Sequence, residues 1–210
     1  MLAGWARGLL ALDEAALVRI AFRDEPLRGK LTSAMKQSLY EGARAALLQE
    51  NGGVLSLDEA AAHWGVQVRD SRGSAAAGLG LFAVFHEPAT IEIDVQNAAD
   101  TDEALQKAGV YESLGAVPTR EILLAHELYH FLEFRDGAGF TAQKHVTLWR
   151  LGRFAYKSSV PSLQEIAAMA FAQKATGLAC SPWLYNVFML APHNPQRALA
   201  LFESMTGKAE

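Results

Sequence analysis

A single cysteine, Cys180, occurs in this 210-residue chain. No internal disulfide can form, and the fold must be held by its core; this usage points to a reducing compartment. A basic excess is also missing: 19 Lys and Arg face 23 Asp and Glu, a net charge of -4. That balance argues against a nucleic-acid-coating surface, and no direct nucleic-acid partner is expected. Long hydrophobic runs are absent too. The apolar stretch 182–192 contains Asn186 and is too short to cross a bilayer, so no membrane association is expected. Near the start, Arg7 interrupts an apolar stretch that Asp13 and Glu14 close. No small-residue cleavage site follows, which speaks against a secretory signal. The expectation is a cytoplasmic protein. There is no internal repeat and no low-complexity tract.

What the chain does have is apolar content, 50% of its residues, enough for a substantial core. Residues 8–22 and 31–50 carry helical periodicity. In the second stretch Leu31, Met35, Leu39, Ala43 and Leu47 recur every fourth position until Asn51-Gly52-Gly53 stops the pattern. Ser56 and Glu59 fit a capping box opening a short helix that ends near Trp64-Gly65. A strand-rich block follows, with 66–68, 78–85 and 90–95 as strands and His86-Glu87-Pro88-Ala89 as a turn. Residues 97–102 read as a polar break before a helix from about 102 to 107. Helices are expected over about 119–134, 163–176, 182–190 and 195–205, while 140–160 fits neither pattern clearly. Trp149, Phe154, Trp183, Tyr185 and Phe188 are expected in the core. The fold class is α+β: a small antiparallel three-stranded sheet on a helical bundle. Its parts are an N-terminal helical segment (1–54), a core (55–178) and a C-terminal helical segment (179–210) within one compact unit.

The informative motif is His126-Glu127-Leu128-Tyr129-His130, an H-E-x-x-H inside the 119–134 helix. Residues four apart share a helix face, so both imidazoles can reach one metal ion. Glu127 flanks that face as a proton acceptor, giving the components of metal-assisted hydrolysis. A catalytic zinc takes a third protein ligand. Glu133 sits on the same helix, which cannot wrap around an ion, and reads as a surface residue or one behind the ligands. Asp136 matches an H-E-x-x-H-x-x-G-x-x-D spacing, but Glu133 occupies the position where that pattern needs glycine to leave the helix. His145 follows a loop and is free to approach. Glu165 lies on a separate helix whose Ala168 and Ala172 permit close packing; it also fits Ser162-x-x-Glu165, a capping box.

The chain resembles the ImmA/IrrE family of zinc metallopeptidases. The likeness rests on Ala125-His126-Glu127-Leu128-Tyr129-His130 and on Glu165-Ile166-Ala167-Ala168-Met169-Ala170-Phe171-Ala172, which is similar to E-x-x-A-x-x-F-A. Upstream, residues 57–68 resemble the short helix and first strand that precede the family's sheet. The similarity covers about residues 55–175. It departs at Met169, where the family commonly has a polar residue, in the long stretch between His130 and Glu165, and at residues 173–177. The resemblance implies Zn(2+) held by His126, His130 and Glu165, with Glu127 as general base. It implies hydrolysis of a peptide bond in a protein or peptide substrate, often a DNA-binding repressor. Tyr156 and His145, between the two ligand helices, are candidate donors to a transition-state oxyanion. The alternative is a zinc-binding regulatory module without catalysis. A two-histidine, one-carboxylate set suits zinc and also iron.

Overall fold

The computed structural model describes residues 1–45, 56–72, 82–137, 141, 144–152 and 154–207. The expected Asn51-Gly52-Gly53 stop, position Leu47 and the Gly78-Leu79-Gly80 opening of a strand lie outside those residues.

Instead of one helix over 8–22 there are two, α1 (Leu2–Leu10) and α2 (Glu14–Ala21). Asp13 causes the break: its carboxylate accepts the Ala16 N–H at 2.8 Å and caps a new helix. After α3 (Ser33–Ala45), the capping box of α4 (Leu57–His63) forms as the sequence indicated. Ser56 N–H donates to Glu59 Oε2 at 2.8 Å, and Glu59 N–H donates to Ser56 Oγ at 3.3 Å. Gly65, at φ +75°, then turns the chain into β1 (Gln67–Ser71).

The sheet adds β2 (Ala83–His86) and β3 (Thr90–Asp94) in the order β1-β3-β2. The hairpin β2–β3 is antiparallel, as expected, but β1 pairs with β3 in parallel, so the sheet is mixed. The physical reason is that side-chain alternation marks a buried face and carries no strand direction. The chain leaves β1, enters β2 on the far side, and returns through the hairpin as the central strand. Ile91 and Ile93 are fully buried. Val95 does not extend the strand. Asp94 accepts the Asn97 N–H at 3.1 Å and starts α5 (Val95–Lys107), which runs straight through the expected polar break. Its buried stripe, Ala98, Thr101 and Leu105, is narrow and contains a hydroxyl that bonds back to Asn97 O.

The long helix α6 (Thr119–Asp136) packs on α7 (Ser162–Thr176), with α8 (Tyr185–Leu190) and α9 (Pro195–Thr206) closing the bundle. Ile122, Leu124, Ala125, Leu128 and Leu132 on α6, and Leu163, Ile166, Ala167 and Ala168 on α7, are all buried. Each such leucine or isoleucine contributes about 1.5–3 kcal/mol by burial. Between them β4 (His145–Leu151) and β5 (Phe154–Ser159) form an antiparallel hairpin in the segment whose pattern was unclear. Phe154, expected in the core, is 65% exposed on this hairpin, while Tyr185 and Phe188 are buried as expected and Trp183 is half-buried. Buried side chains form one cluster from Trp5 to Met205 that draws on all three segments. Among the described residues no helix is long and apolar enough to cross a membrane.

Candidate metal centre

The helix that carries the motif is held at both ends. Thr119 N–H donates to the Asp102 carboxylate on α5, at 3.1 and 3.2 Å, and Gly137, at φ +59°, ends the helix. Between them α6 is continuous, so His126 and His130 project from one face with their Nε2 atoms 3.1 Å apart.

Glu165 reaches the same point from α7. Ser162 is the first residue of α7 rather than its cap, and Pro161 holds the cap position. The Ser162 N–H is instead taken by Glu25 Oε2 at 3.1 Å, and Glu25 Oε1 accepts Leu27 N–H at 2.9 Å. Glu25 is fully buried and was not legible as a helix cap, since it lies 137 residues away in sequence. The capping-box role for Glu165 is therefore not used. Its Oε2 lies 3.3 Å from His126 Nε2 and its Oε1 3.4 Å from His130 Nε2.

These separations test whether a cation fits. Donors sharing one tetrahedral zinc with bonds of about 2.0–2.1 Å are ~3.3 Å apart. The three groups match that spacing. Two bare ring nitrogens at 3.1 Å repel unless a proton or cation lies between them. Among the described residues, His126, His130 and Glu165 form the one group of three or more His, Cys, Asp or Glu donors lying within 4.8 Å of one another. The histidine side chains are 14% and 21% exposed and that of Glu165 is 49% exposed, so the set is backed by protein and open on one side.

Electrostatics agree with the geometry. Burial pulls the His126 pKa down, but the hydrogen bond and charge of Glu165 outweigh it and raise it. His130 is lowered to about 4, by burial and then by His126. Burial would raise Glu165, but His126 and then His130 bring it down to about 2. Glu127 is raised by its burial, with Glu165 adding to the effect. Phe85 N–H on β2 donates to Glu127 Oε2 at 2.8 Å and fixes that carboxylate, a role for main chain that no side-chain pattern reveals.

The other candidates are placed elsewhere. Asp136 ends α6 and pairs with Arg135 at 2.7 Å. Glu133 is buried rather than on the surface, in a cleft beside Gln164 and Glu165. His145 and Tyr156 sit exposed on the β4–β5 hairpin, and neither lines the clefts that reach His126 and Glu127. Both residues belong to a hairpin in which this segment pairs with itself.

Two clefts meet at the cluster, sharing Ala83, His126, Glu127 and Glu165. One, of 310 Å³, has apolar walls from Phe82, Ile122, Met169, Trp183 and Met189. The other, of 570 Å³, runs past Val84, Phe85, His130 and Phe134. The first draws on the C-terminal segment, and Met169 belongs to its apolar wall. No family model, curated protein or solved structure matches this chain.

Proposed function

We propose that this chain is a zinc-dependent peptidase of the ImmA/IrrE type that cleaves a peptide bond in a protein or peptide substrate. The observation that carries the reading is the meeting of His126, His130 and Glu165 from two helices, with Glu127 fixed beside them. His126, His130 and Glu165 would hold the zinc ion, which when bound would supply Lewis acidity and lower the pKa of water towards about 7.

The chain's own groups then have distinct roles. The Phe85 amide holds Glu127 Oε2, and Oε1 takes no hydrogen bond among the described residues. With its pKa raised by burial, Glu127 is a stronger base than a solvated carboxylate. It removes the proton from the attacking water and returns it to the departing amine nitrogen. Substrate alignment falls to β2, an edge strand of the sheet among the described residues. Just before β2, the Phe82 carbonyl accepts Asp94 N–H from the β3 side, while Phe85 N–H points the other way. By the two-residue period, the Ala83 N–H and C=O also face away from β3. Ala83 lines both clefts, so an extended peptide laid there gains main-chain hydrogen bonds next to Glu127. The apolar walls of the smaller cleft suit a bulky hydrophobic side chain.

Glu127→Gln tests the reading. Metal content by mass spectrometry should remain at one ion per chain, while cleavage of an unfolded protein substrate falls by about 10²-fold or more. A glutamine variant that cleaves as well as the parent would contradict the base role. A parent that holds metal but cleaves nothing would leave the regulatory-module reading in its place.

A further inference from the structure

Away from the metal cluster, α2, α3 and the segment between them line a third cleft, of 670 Å³. Its floor is apolar and buried: Val18 is 7% and Phe22 2% exposed. Its rim carries Arg19, Arg23, Arg28 and Lys36, and no acidic side chain lines it among the described residues. Four cations around one cavity stand out in a chain of net charge -4. One of the four is offset on the rim itself, because Arg23 is paired with Asp24, which leaves Arg19, Arg28 and Lys36 without a carboxylate partner among the described residues. Asp24 pairs with Arg23 at 2.7 Å, and Gln37 donates to Glu14 and Glu41 at 3.2 and 2.8 Å. Two of the guanidinium groups are held in place: Arg23 by Asp24, and Arg28 by its bond to the Arg23 carbonyl at 2.9 Å. Neither Arg19 nor Lys36 has a carboxylate partner among the described residues. Ser33, the first residue of the 13-residue α3, also lines the cleft, which adds a helix N-terminus facing the same space.

From this arrangement we propose that the α2–α3 cleft is a binding site for a small phosphorylated molecule with an apolar, ring-like body. Guanidinium forks and an ammonium suit phosphate oxygens. The buried floor suits a ring rather than a second charge, and the volume is that of a small-molecule site. The concave shape disfavours a flat partner surface. Arg23 also lines the cleft at the metal cluster, so the two sites are adjacent, but binding here does not depend on the peptidase reading.

The test is calorimetric titration of the full chain with AMP, with inorganic phosphate and with adenosine, at about 0.15 M salt so that loose surface attraction is screened. AMP is expected to bind about tenfold or more tightly than either fragment, because only AMP engages both rim and floor. Arg19→Glu and Lys36→Glu should each weaken AMP by about tenfold or more, with metal content and helical circular dichroism unchanged. The proposal is overturned if AMP does not bind, or binds both variants as it binds the parent. It also fails if adenosine matches AMP, which removes the phosphate from the account, or if phosphate matches AMP, which removes the floor.

Discussion

Replacing Glu165 with alanine removes one of three donors without disturbing the helix that carries it. The helix is started by the Glu25–Ser162 hydrogen bond and fixed by Leu163, Ile166, Ala167 and Ala168, each no more than 1% exposed. The Glu165 side chain is 49% exposed, so its loss leaves no cavity in the core. Structural zinc sites hold their ion by about 10–16 kcal/mol across four ligands, which is ~3 kcal/mol for one ligand. At 1.36 kcal/mol per factor of ten, Glu165→Ala should weaken zinc by roughly 10²-fold. Competition against a chromophoric chelator of known affinity measures this directly, with far-ultraviolet circular dichroism as the control. A variant that binds zinc within about threefold of the parent, with its helical signal intact, would show that Glu165 is not a ligand and would refute the reasoning.

Phe85→Pro removes the amide that fixes Glu127, while Phe85→Leu keeps it; the amide faces away from β3, so proline breaks no ladder bond there. A hydrogen bond to a charged group is worth about 1.5–3 kcal/mol, so proline should lower peptide cleavage by ~10–100-fold relative to leucine, with metal content equal; matched activities would refute the positioning role. Ala168→Leu overfills the α6–α7 contact one turn from Glu165 and should cost about 1–3 kcal/mol, lowering the melting temperature by ~2–12 °C. An unchanged melting temperature would show that the helices do not pack as described. Zinc affinity should also fall with acidification. Glu165, at about 2, and His130, at about 4, have already lost their protons near neutral pH, whereas His126 is raised. Zinc therefore competes with one proton at His126. Affinity is level above that pKa and falls about tenfold per pH unit below it, and a slope near zero or two on the acid side would refute this.

The metal site was legible where its spacing is local. His126 and His130 are one helical turn apart, so the motif alone puts them on one face. Glu165 was ambiguous because Ser162-x-x-Glu165 satisfies a capping box equally well, and the ambiguity ends only with Glu25, a residue 137 positions away, taking the Ser162 amide. Phe85 acts through its main chain, which no residue type announces. The α5 helix was hidden because Asn97, Asp100 and Asp102 look like a loop, although Asp94 is a cap and Asp102 serves the start of α6. On the β4–β5 hairpin Phe154 and Tyr156 are exposed, so Phe154 misled the burial expectation, and neither His145 nor Tyr156 lines the site clefts. Strand direction in the sheet, with β1 parallel and β2 antiparallel to β3, is not encoded by alternation.

X-ray absorption spectroscopy of the purified full chain addresses the central claim most directly. Convergence of α6 and α7 on one cation predicts one zinc per chain, with a shell of nitrogen and oxygen at about 2.0–2.1 Å that includes two imidazoles and loses an oxygen in Glu165→Ala. A chain that takes up no metal, or a shell without the paired imidazole signature, would contradict it.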